Sequence, residues 1–242
     1  MKRYKELFAF PQVISLGIAA FPARLAYGMI SLGIFFKAEQ STDSFAIAGF
    51  AIGLNSLAGA VTAGIRGSIM DRWGQKWPLR ILVPGYTIMI LALNQMDTAR
   101  SILITAFLLG ISAPPINLSV RPLWKDIVPA TYLRTAYAFD SAMMSSTSVV
   151  GPVVVTALAL SSRPYLALDV TAALMLTGGI ALALTSVSRN WIPEKKVKGQ
   201  ERLLQSRAIQ LLMFEGCFIR FGWGVFDVAV PAFATQENVP HR

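Results

Sequence analysis

Four ionisable side chains fall inside otherwise apolar stretches of this sequence: Arg24, Glu215, Arg220 and Asp227. A charge at membrane depth is costly, faces the interior of a helix bundle or a water-filled cavity, and marks a candidate functional site. Coupling to protons would need a carboxylate whose proton affinity is raised by burial, and Glu215 and Asp227 are the candidates. The plainer alternative for Arg220 is neutralisation by Asp227, seven residues along and on the same helix face. Asp140 and Asp169 lie nearer the ends of apolar runs, where structural pairing or solvation is the expectation. Asn55 and Asn117 offer both donors and acceptors to a ligand, or hydrogen bonds that hold helices together. Pro114 and Pro115, just before Asn117, interrupt helical hydrogen bonding and predict a kink.

Other chemistry is poorly supplied. The 242 residues hold one cysteine, Cys217, and one histidine, His241, which excludes an internal disulfide and the usual metal-ligand sets. There is no P-loop, no nucleophile elbow, no HExxH and no dinucleotide fingerprint after a strand, so neither an enzyme nor a bound cofactor is expected. A net charge of +9 raises the question of nucleic acid. The basic residues cluster in loops between apolar blocks, not on one soluble face, and that reading fails.

The elements that must carry these residues are membrane helices. Only 14% of residues are charged and the mean hydropathy is +0.54, where a soluble domain would carry roughly a quarter charged residues. Apolar runs of spanning length predict seven crossings, at about 11–36, 45–66, 79–96, 101–120, 135–160, 165–187 and 208–233. The basic, then apolar, N-terminus resembles a leader, but its apolar run resumes after Arg24 and reads better as one long span. With the N-terminus in the cytoplasm, most of the 22 lysines and arginines fall on the inner face, Arg66 among them. Lys37, Arg100, Arg163 and Arg242 are left outside. The charged stretch 188–207 reads as a cytoplasmic linker. It separates a six-helix bundle at 1–187 from the first helix of a second bundle at 208–242.

Two motifs add a family to this outline. Span one contains Arg24-Leu-Ala-Tyr-Gly-Met29 and span seven Arg220-Phe-Gly-Trp-Gly-Val225, at equal depth and in the same direction, as in parallel internal repeats. The turn at 67–80, GSIMDRWGQKWPLR, carries Gly67, Asp71, Arg72, Gly74 and Lys76 between spans two and three. It resembles the signature loop of the major facilitator superfamily, and Gly151–Pro152 in span five fits the same family. That resemblance implies twelve or more spans in two six-helix halves, with spans one, four and seven lining a central cavity.

On that basis Arg24, Asn55, Asn117 and Arg220 are candidate cavity residues suited to an anionic solute, and Asp71 is a latch between the halves. Antiporter members often carry a glycine-rich motif in span five. Here Thr147 stands four residues before Gly151, and Val155 and Thr156 stand where the last glycines would be, so an export direction rests on overall similarity.

The sequence thus reads as an all-α, multi-pass protein of the inner (plasma) membrane. It carries a small-molecule solute by alternating access, in the efflux direction, with the lipid bilayer as its surroundings. The alternative is a non-transporting fragment or split half that needs a second chain supplying the C-terminal half. Met1–Arg242 by itself is not expected to catalyse coupled transport.

Overall fold

The computed structural model of the protein describes residues 2–193 and 206–236. The described residues form two compact units, Met1–Pro193 and Glu194–Arg242. The first holds α1 (Lys2–Phe8), α2 (Pro11–Thr42), α3 (Phe45–Trp73), α4 (Lys76–Asn94), α5 (Ala99–Ser112), α6 (Ile116–Ile127), α7 (Ala130–Ala159), α8 (Leu166–Leu184) and α9 (Ser186–Asn190). The second holds α10 (Arg207–Gln236), which contains the seventh expected span. There is no strand among the described residues.

Among the described residues, six stretches are long and apolar enough to cross a membrane: α2, α3, α4, the pair α5–α6 taken together, α7 and α8. Even the 19-residue α4 and α8 extend about 28 Å at 1.5 Å per residue, close to the thickness of a hydrocarbon core.

The ends of these helices follow from local chemistry. Pro11 opens α2 at a position where no backbone N–H is needed. Asp43 closes it in the left-handed region (φ 50°), its N–H donating to Glu39 O at 2.7 Å. The Ser44 hydroxyl then accepts from Ile47 N to start α3, and Thr98 caps α5 the same way through Ser101 N. Gly74 ends α3 at φ 73°, a conformation that costs any other L-residue about 1 kcal/mol or more. Gly74→Ala is therefore expected to lower stability by about that amount, read as a drop in unfolding midpoint with helix content unchanged.

Two boundaries differ from the sequence expectation. Span two does not stop at residue 66. α3 continues to Trp73, so Arg66 stands inside a helix, not in the expected turn, and Asp71 and Arg72 occupy its last turn. Span four is not one kinked helix but two, separated at Ala113, Pro114 and Pro115. A single proline bends a helix, whereas two in succession remove two N–H donors and leave the chain no ladder to continue.

α2 is the centre of the first unit, packing against α3, α5, α6, α7 and α8. Close approach is made by small residues. A Cβ at Gly151 would meet Gly28 backbone atoms at 2.7–2.9 Å, and one at Gly178 would meet Ala23 N at 2.3 Å. The outside is as apolar as the inside. Phe50, Leu57, Val61 and Ile65 form an exposed stripe along α3, with Val149 and Val153 exposed on α7. In water this would be an aggregation surface; against lipid it is a matched solvent.

Candidate functional site

Arg24 lies about 20 Å along α2, and Asp140 about 15 Å along α7, at 1.5 Å per residue. Both are buried, and Arg24 Nη1 stands 2.8 Å from Asp140 Oδ1. The Gly28–Gly151 contact lets α2 and α7 come close enough for this pairing. The sequence expectation for Asp140 was structural pairing or solvation near a membrane interface. Pairing is what the structure shows, but eleven residues into α7 and buried against Arg24 rather than at an interface. Nε and Nη2 of Arg24 have no hydrogen-bond partner, so the guanidinium keeps donors to offer a second acceptor group.

The second polar centre is the interruption of span four. Arg66 reaches across from α3: its Nη1 donates to Gly110 O at 2.9 Å, Ile111 O at 3.0 Å and Thr62 Oγ1 at 2.6 Å, and its Nη2 to Gly59 O at 2.8 Å. Tyr27, three residues beyond Arg24, donates its hydroxyl to Pro114 O and packs its ring on Tyr86. Asn55 Nδ2 donates to Ala106 O at 3.1 Å, so one end of that amide joins α3 to α5. Asn117 lies exposed in the first turn of α6. Tyr27 and Asn117 thus stand at the break itself, whereas Asn55 bonds α5 about two turns before it and Arg24 pairs with α7.

The third centre is the turn at 67–80. Asp71 and Arg72 are exposed, and neither makes an ion pair among the described residues. Lys76 Nζ lies 5.6 Å from the centroid of the Trp77 ring, with Arg80 on the same ring at 6.0 Å. A Cβ at Gly67 would meet nothing within 4 Å. The buried polar side chain of the turn is Gln75, whose Nε2 donates to Ser119 O at 2.9 Å and whose Oε1 accepts from Ser188 Oγ at 3.1 Å. Sequence reading did not single out Gln75 or Arg66, and met Tyr27 only as the aromatic of the Arg24–Met29 repeat. Arg66 carried a signal as a cation next to the end of an apolar run.

Glu215, Arg220 and Asp227 lie in α10 of the second unit, and the side chains of Arg220 and Asp227 fall outside the described residues. A cavity of about 250 Å³ with a mixed polar and apolar lining lies elsewhere, between Phe36, Lys37, Gln40, Asn94, Tyr165 and Leu168, and includes none of the candidate site residues. No group of three or more acidic, histidine or cysteine side chains suited to a metal ion occurs among the described residues.

Among the described residues, six membrane-length apolar stretches, a buried charge pair between two of them and one span interrupted by prolines define a polytopic membrane protein. A sequence model of the Major Facilitator Superfamily matches residues 16–240, and the chain belongs to that family. It is 26% identical over 243 residues to the uncharacterized MFS-type transporter y4rN of Sinorhizobium fredii (strain NBRC 101917 / NGR234). That match covers 95% of this chain and 60% of the relative, so the chain spans well under two thirds of the relative's length. No solved structure matches the chain.

Proposed function

We propose that the chain supplies the N-terminal six-helix bundle (1–187), the cytoplasmic linker (188–207) and the first helix of the second bundle (208–242) of an alternating-access carrier. The carrier moves a small anionic solute outward across the inner membrane, with its N-terminus in the cytoplasm. Membership of the transporter family supports membrane transport in general. The observation that supports an anionic solute is the buried Arg24 guanidinium, held by one carboxylate and with Nε and Nη2 unpartnered. Arg220, at the matching position of the second repeat, is the second candidate cation for the solute. Asn117 adds a neutral donor and acceptor from the broken span four, as does the free end of Asn55. Glu215 and Asp227 are the proton-coupling carboxylates. Asp71, unpaired in this unit, closes as a latch against the second bundle, with Gly67, Arg72, Gly74 and Lys76 shaping its turn. Since alternating access needs two bundles, the second reading is a split half that acts with another chain.

The anionic reading is tested by binding to the protein in nanodiscs. Small carboxylates and organic phosphates should raise the thermal midpoint saturably, and their uncharged amides or esters should not. Arg24→Lys keeps a charge opposite Asp140 but loses the planar fork, and should weaken anion binding about tenfold or more. Equal responses to anions and their neutral analogues would remove the solute assignment while leaving the family untouched.

A further inference from the structure

The break in span four poses an accounting problem. Ending α5 and starting α6 at mid-span exposes carbonyls and N–H groups that no water in the bilayer core can satisfy. The protein meets most of that demand with side chains from other helices. Gly110 O and Ile111 O take Arg66, and Pro114 O takes the Tyr27 hydroxyl together with Ile116 N. Leu109 O takes the Ser112 hydroxyl, and Pro115 O takes both N and Oγ of Ser119. Arg66 has no carboxylate partner among the described residues, but it sits at the C-terminal, negative end of the α5 dipole, where a cation is stabilised. One turn into α6, Ser119 O is held again, by the buried Gln75 of the 67–80 turn, which in the same amide accepts from Ser188 of α9.

We propose that α6 is a separate half-helix hinged at Ala113, Pro114 and Pro115. Arg66 with Tyr27 clasps it at mid-membrane, and Gln75 clasps it to the 67–80 turn and α9. Arg66, Tyr27 and Gln75 are then positioning residues that set where the first turn of α6, with Asn117, stands. The pathway enters only through the proposed function above, which takes span four as its border; the position of α6 in this chain does not depend on any solute. Continuity of backbone hydrogen bonding holds an ordinary spanning helix in place. Here that continuity is missing for three residues, and four side-chain hydrogen bonds substitute for it: two from Arg66, one from Tyr27 and one from Gln75.

Amide hydrogen exchange of the chain in nanodiscs, read by mass spectrometry, tests this. Tyr27→Phe removes one hydroxyl and Arg66→Lys reduces four contacts to fewer. Each should speed exchange across residues 110–120 by about tenfold, the size expected when local opening loses one net hydrogen bond. α4 and α8 should stay within about twofold of wild type. Gln75→Leu should speed exchange in α6, in the 67–80 turn and in α9, leaving residues 105–112 near wild type. Uniform acceleration through the unit, or no acceleration in α6 with any of the three variants, would overturn the half-helix. Either result would leave the anionic-solute reading standing, and loss of anion binding would leave this one.

Discussion

Asp140→Ala is expected to cost the six-helix unit about 3–5 kcal/mol, the loss seen when one partner of a buried ion pair is removed. The size follows from burial. Both side chains are almost completely excluded from solvent, so removing the carboxylate leaves a guanidinium with neither counter-charge nor water. Arg24→Met should cost less, because a carboxyl can be accommodated in its protonated, neutral form whereas a guanidinium keeps its charge. The double variant Arg24→Met, Asp140→Leu should recover most of the loss, since replacing a buried pair by apolar residues of similar volume is often neutral or better. Reversible unfolding in mixed micelles measures all three. A loss below about 1 kcal/mol for Asp140→Ala would mean that the pair is solvated, as surface pairs are.

Gly151→Ala is the second large effect, and its sign is set by backbone geometry. Alanine is the better helix former by about 1 kcal/mol, so in an open position the substitution stabilises. At Gly151 the new methyl meets Gly28 backbone atoms under 3 Å away, and no side chain can swing aside to relieve it. α2 and α7 must separate, which loosens the packing beside Arg24 and Asp140; the net cost should reach about 2–3 kcal/mol. Gly67→Ala in α3 is the matched control. With nothing within 4 Å of its Cβ, it should leave the midpoint unchanged or raised. Equal behaviour of the two variants would show that the α2–α7 contact is not close-packed.

The spans were legible because lipid selects length and composition directly. Runs of about twenty apolar residues are enough, and six of the seven expected stretches coincide with helices of spanning character. The interruption in span four was half legible. Pro114 and Pro115 announced a defect, but not that Arg66 and Tyr27 would fill it. Counting basic residues by side had placed Arg66 in the cytoplasmic turn, because an apolar run ends there. The helix itself continues, since the end of an apolar run marks where the hydrocarbon stops and not where the helix does, and no proline intervenes before Gly74 ends it at positive φ. Gln75 was invisible because its role comes from burial between α6 and α9, and nothing in its neighbours Gly74 and Lys76 predicts burial. Arg24 was legible as a costly charge. Its partner was not, because which acid faces it depends on where two glycines let helices cross.

Two side-chain contacts mark the two ends of the bundle. Within the first unit Gln40 bonds Ala159 O at one end, and Gln75 bonds Ser188 at the other. The 160–165 loop and the 67–80 turn therefore lie at opposite ends. In a Cys217→Ser background, Trp73→Cys and Ser162→Cys place single thiols at exposed positions at these two ends. A membrane-impermeant maleimide should label Trp73→Cys only in inside-out vesicles and Ser162→Cys only in right-side-out vesicles. Labelling of both from one side, or the reverse pattern, would contradict a bundle that crosses the membrane with its signature turn in the cytoplasm.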